Sequence, residues 1–68
     1  MEYVVIIEKT DTGYSAYVPD LPGCITVGDT KEDVARHIEE AIQLHLEGMR
    51  EDGLKIPVPS TEAVKVVA

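Results

Sequence analysis

Only one stretch of this chain reads as a long helix, and that limits how a sheet can be covered. Thr30 is a good N-cap, and Asp33 three residues later resembles a capping box with a shorter acid. Gly53 suits the position just past a helix end, so the helix is expected to run to about Glu51. Between these limits Val34, Ile38, Ala41, Ile42, His45 and Met49 fall along one face. Glu32, Arg36, Glu39, Glu40, Gln43 and Glu47 fill the other, with Glu32 and Arg36 in the favourable i,i+4 order. A single helix covers one face of a sheet. The first predicted strand, Tyr3 to Ile7, is apolar on both: Tyr3, Val5 and Ile7 on one side, Val4 and Ile6 on the other. The second face needs another cover, and the simplest is a second copy of the chain.

The rest of the chain is punctuated by turn residues. Thr10-Asp11-Thr12-Gly13 is a turn, and Tyr14–Val18 a second strand, antiparallel to the first. Pro19 and Pro22 donate no ladder hydrogen bonds, so Pro19–Gly23 is a corner. Cys24–Val27 follows as a third strand, closed by Gly28-Asp29. After the helix, Ile56-Pro57-Val58-Pro59-Ser60 is a stiff extended connector, and Ala63–Val67 is expected as a fourth strand. The predicted order is β-β-β-α-β, an α+β chain with one helix on one face of one sheet. Residues 1–68 form a single domain, with no room for a second.

Charge and cysteine content narrow the function classes. Thirteen acidic residues stand against six basic ones, a net charge of −7. Nucleic-acid backbones call for clustered cations, so no direct nucleic-acid binding is expected. An acidic surface favours a basic partner instead. One cysteine makes no internal disulfide, which suits a reducing cytoplasm. The apolar run at the N-terminus stops after Ile7, too short for a signal peptide or a membrane span.

No constellation of catalytic residues emerges, so no catalytic, cofactor or metal residue is assigned and an enzyme is not expected. Cys24 opens a strand after a Pro-Gly corner, with no base placed to make its thiolate. His45 lies in the apolar stripe of the helix and reads as a core or interface histidine. His37 lies eight residues earlier, about 12 Å along the axis, so the two do not share an ion. Glu8, Asp11, Asp20 and Asp29 occupy turns and element ends, where acids serve local hydrogen bonding. Gly13, Gly23 and Gly28 match no nucleotide-binding fingerprint. Tyr14 and Tyr17 are three apart on a strand and point to opposite faces, so they make no stacking platform.

Three segments together resemble the HicB-like antitoxin family. They are Tyr14-Ser15-Ala16-Tyr17-Val18-Pro19-Asp20-Leu21-Pro22-Gly23-Cys24 with Gly28-Asp29-Thr30, the helix run Ala41–Met49 with Glu51-Asp52-Gly53, and Ile56-Pro57-Val58-Pro59-Ser60. The resemblance spans nearly the whole chain. It implies a fold similar to a partly degraded ribonuclease H core and a role in neutralising HicA, a small basic ribonuclease that cuts mRNA. Many members add a C-terminal DNA-binding module; this sequence ends at Ala68 without a match to one, which leaves operator binding an open question.

The reading that follows is an antitoxin-type protein-binding module in the cytoplasm that masks a basic HicA-like toxin. The alternatives are a free-standing oligomeric HicB-like protein and a vestigial ribonuclease-H-like nuclease. Tyr17, Asp20, Leu21, Glu8 and Asp11 are the candidate partner-binding residues. Tyr3, Val4, Val5, Ile6, Ile7 and Tyr17 are the candidate oligomer interface, for a homodimer or a larger assembly.

Overall fold

A computed structural model describes all residues from Met1 to Ala68. Strands β1 (Ile6–Lys9), β2 (Tyr14–Tyr17) and β3 (Ile25–Gly28) precede one helix, α1 (Lys31–Glu51). The sheet is antiparallel in the order β1-β2-β3, so β1 and β3 are its edges. The α+β reading holds.

The β1–β2 turn is closed by the Thr10 N–H donating to the Gly13 carbonyl at 2.8 Å, and by the Gly13 N–H donating to Thr10 Oγ1 at 3.1 Å. This fixes Lys9 opposite Tyr14, and the ladder then runs only to Ile6 opposite Tyr17. Beyond that point the chain leaves β2: the Val18 N–H donates to the Cys24 carbonyl, closing the Pro19–Gly23 corner. Residues Tyr3–Val5 therefore have no β2 partner. This is why β1 lies three residues later at its start than the apolar run suggests.

The corner is internally bonded. Leu21 N–H donates to the Val18 carbonyl and Cys24 N–H to the Leu21 carbonyl, while Gly23 takes φ +84°, open to glycine at low cost. Leu21 thereby turns inward, and with Ala16, Val18, Cys24, Val34 and Ile38 it forms the core. Tyr3, Val5, Ile7 and Tyr14 pack on that core from the sheet side, and Ala41, Ile42 and Leu46 from the helix.

The helix begins and ends as its sequence dictates. Thr30 Oγ1 accepts from the Asp33 N–H at 3.0 Å. At the other end Gly53 (φ +71°) donates to the Arg50 carbonyl and Leu54 to the Met49 carbonyl, a Schellman motif. Arg36 pairs with Asp33 at 3.2 Å rather than with Glu32, an exposed pair worth about 0.5 kcal/mol or less.

The fourth strand is not formed. No backbone-to-backbone hydrogen bond involves a residue beyond Leu54, and Ala63–Val67 takes no regular structure. A strand exists only through a neighbour, and residues 56–61 are held elsewhere. The Tyr3 hydroxyl donates to the Pro57 carbonyl, and Ser60 and Thr61 are fixed to Asp20. The β-forming valines that follow project into solvent.

Candidate partner-binding surface

Strand register decides what the uncovered face of the sheet presents. Ile6, Tyr17 and Ile25 stand side by side across the three strands, and Glu8, Ser15 and Val27 form the next row. These rows face away from the helix, since Ile7, Ala16 and Tyr14 point into the core. Tyr17, Ile25 and Val27 are 38%, 64% and 67% exposed, so an apolar patch lies open on this face. A shallow hollow lined by Tyr17, Pro19, Pro22 and Ile25 extends it past the corner.

The candidate interface residues thus divide. Tyr3, Val5 and Ile7 pack on the core side, which removes them from the open face. Ile6 and Tyr17 belong to the open face, and Val4 is half-buried. Ile25 and Val27 belong there too and escaped the sequence reading, although their alternation with Thr26 was the signal.

The candidate partner-binding residues divide as well. Leu21 is fully buried and has no surface to offer a partner. Asp20 is engaged within the chain. Its carboxylate accepts from the Ser60 N–H (3.0 Å), the Thr61 N–H (3.1 Å), the Ser60 hydroxyl (3.1 Å) and the Thr61 hydroxyl (2.7 Å). Led by the Ser60 backbone bond, and followed by the Thr61 hydroxyl, these donors lower its pKa from 3.8 to about 2. Leu21 is corrected from a partner contact to a core residue, while Asp20 serves as an internal anchor. Glu8 and Asp11 are exposed, Glu8 on the open face and Asp11 on the β1–β2 turn.

At the opposite end of the molecule a groove runs between the β1–β2 turn and the start of α1, lined by polar groups including Thr10, Asp29, Asp33 and His37. Its key contact is a helix-to-sheet bond, His37 Nδ1 to the Val27 carbonyl at 2.8 Å. A carbonyl only accepts, so Nδ1 carries the proton. No sequence signal links two residues ten apart on different elements. Within the groove Arg36 is satisfied by Asp33, and Thr10 by its own turn. His45 is half-buried on the apolar side of α1. Cys24 is buried, and burial raises its thiol pKa, so the thiolate needed for attack is disfavoured. No three His, Cys, Asp or Glu side chains converge in a metal-holding group. No helix is long and apolar enough to cross a membrane.

A family model described as HicB-like antitoxin of bacterial toxin–antitoxin system matches residues 3–67. The chain belongs to the HicB-like antitoxin family. Among curated relatives, this HicB-like chain is 46% identical over 57 residues to an uncharacterised 14.9 kDa protein of Haemophilus phage HP1, covering 84% of the chain but 43% of that protein. It spans less than half the length of that relative. It is 42% identical over its whole length to a UPF0150 protein of Thermoplasma acidophilum, which it also covers completely. An antitoxin HicB 2 of Photorhabdus laumondii is 36% identical over 91% of the chain and 45% of that protein. Among solved structures, the HicA3 and HicB3 toxin–antitoxin complex contains a chain matched at TM-score 0.76 and 35% identity, over 88% of this chain and 70% of that one. The HicB3 antitoxin crystal structure matches at TM-score 0.72, over 44% of its chain.

Proposed function

We propose that this HicB-like chain is an antitoxin-type module that binds a small basic HicA-like, mRNA-cleaving toxin and masks it, without catalysis of its own. The observation that carries the reading is its likeness, at 35% identity, to a chain of a solved HicA–HicB complex. The net charge of −7 suits a basic partner, and the open sheet face offers apolar area with Tyr17 and Glu8 on it and Asp11 at its rim. Aromatic residues ringed by polar ones are the usual anchors of such surfaces. The chain works in the cytoplasm, where its toxin would act, and it does so as a homodimer or larger assembly. Nothing in this role calls for DNA contact.

Co-expression with a HicA-type toxin tests the reading: growth arrest is relieved, and the two proteins co-purify. Association slows as salt rises, because charges beyond about 8 Å are screened at physiological ionic strength. Continued arrest with the chain folded and abundant would refute it. The match along its whole length to a short UPF0150 protein favours a second reading, a free-standing oligomer with no toxin. That reading requires the assembly to persist while toxin binding is absent.

A further inference from the structure

The molecule exposes more surface than a compact chain of its size. A folded 7.4 kDa chain is expected to expose about 4,200 Å², whereas this one exposes 5268 Å². Its radius of gyration is 13.1 Å, against about 11 Å for a compact 68-residue domain. The excess, roughly 1,000 Å², is close to the ~800 Å² that each partner buries in a standard protein–protein interface.

Two regions account for much of the exposed apolar surface, and their chemistry is complementary. One is the β3 edge, where Ile25 and Val27 are uncovered. An edge strand presents unpaired N–H and C=O groups, and proteins commonly guard such edges with charge. The β1 edge has Glu8 and Lys9; β3, Ile-Thr-Val-Gly, has no charge at all. The other region is Ala63–Val67, where Val64, Val66 and Val67 are 78%, 83% and 98% exposed. This segment is rich in β-formers and makes no backbone hydrogen bond. Its start is not loose, since Ser60 and Thr61 are clamped to Asp20 in the corner that leads into β3. A strand without a ladder therefore leaves the molecule from a fixed point, and the β3 edge has no charged guard, only the His37 ring on its Val27 carbonyl.

We infer that the 63–67 segment of one copy pairs as an added strand with the β3 edge of a second copy, and that the exchange is reciprocal. It deepens the homodimer proposed above and rests on it. Two-fold symmetry lets each copy give one strand and receive one, which closes the assembly at a dimer. Main-chain bonds supply the pairing, and alternate valines extend the apolar face of Tyr17, Ile25 and Val27. The open face of one copy is then completed by side chains of the other.

Sedimentation of the full chain at micromolar concentration reads a mass twice that of one chain. Val66→Pro removes an N–H from the segment and touches nothing in the isolated fold, so its circular dichroism at low concentration is unchanged while its dimerisation weakens at least tenfold. Oxidation of a mixture of Val27→Cys with Val64→Cys or Val66→Cys chains gives the mixed disulfide dimer, the unmutated protein with buried Cys24 being the background. A monomer at every concentration would overturn both the dimer and the exchange, including one that assembles only on adding toxin. A dimer indifferent to Val66→Pro, or linked Val27→Cys to itself, would overturn the exchange and leave the dimer standing.

Discussion

Ala16 and Tyr17 are neighbours in β2, yet Ala16 is fully buried and Tyr17 is 38% exposed. They stand on opposite faces of one sheet, and the whole molecule divides the same way. On the helix side, Val18, Leu21, Cys24, Val34 and Ile38 close around Ala16 into the single core. On the other side, Ile25 and Val27 carry equally apolar side chains into water. Composition does not separate the two faces; the position of one helix does. A face that is packed answers to stability, and a face that is apolar but unpacked answers to association.

The comparison is broken most directly at Leu21. It reaches the core from the corner rather than from a strand or the helix, and it has no exposed surface. Leu21→Ala is expected to cost about 2–5 kcal/mol, a large part of the 5–15 kcal/mol that holds a typical domain. Urea unfolding measures it. A loss below 1 kcal/mol would mean that the corner is not part of the core.

The next largest effect lies at the seam where sheet meets helix. A Cβ on Gly28 would stand 2.7 Å from the Val34 nitrogen and 2.9 Å from its Cα, and backbone does not yield cheaply. Gly28→Ala is expected to cost about 1–3 kcal/mol by overpacking. Gly53→Ala makes a contrasting control: nothing surrounds its Cβ, and only its φ of +71° resists substitution. Thermal unfolding of both separates crowding from backbone strain.

Much of the helix side was legible in the sequence. The 3.6-residue stripe picked out Val34 and Ile38, and the cap residues set both helix ends, because these signals are local. What the sequence concealed is non-local. Asp20 reads as a turn acid, and only the fold brings Ser60 and Thr61, forty residues away, onto its carboxylate. Leu21 reads as a loop residue open to a partner because nothing in Pro-Asp-Leu-Pro tells which way the corner folds. Val64 to Val67 read as a strand because propensity is local, whereas strand formation needs a neighbour that propensity does not name.

Asp20 links the two faces, since it holds the segment that leaves the core side. Its pKa of about 2 lies below the ordinary 3.8, so the ionised form is the one that the folded chain favours. The clasp therefore contributes fully above about pH 4 and is lost as pH falls through about 2. The carboxylate is solvent-accessible, so the effect is local release of residues 57–61 rather than global unfolding. The amide resonances of Ser60 and Thr61 are expected to titrate with a midpoint near 2. A midpoint at the ordinary value would show that the four hydrogen bonds do not persist in solution. Asp20→Asn should reproduce the low-pH shifts at neutral pH.

The smallest effect on the fold is expected at Val27, and it sharpens the comparison most. Val27 is 67% exposed, and the part of it that the fold uses is its carbonyl, which takes the bond from His37. Val27→Thr keeps the β-branch and the backbone and exchanges only a methyl for a hydroxyl. In dilute protein, with the chain monomeric, stability should change by no more than about 0.5 kcal/mol, as for other exposed sites. If a second copy covers this edge at high concentration, mass action adds the binding energy to the measured stability. The unmutated chain should therefore melt at rising temperature as concentration rises, and Val27→Thr should flatten that dependence. If the two proteins melt together at every concentration, the open face is only a wet face, and its apolar character has no bearing on association. If Val27→Thr destabilises the dilute monomer by more than 1 kcal/mol, the division between the packed and unpacked faces fails at its centre.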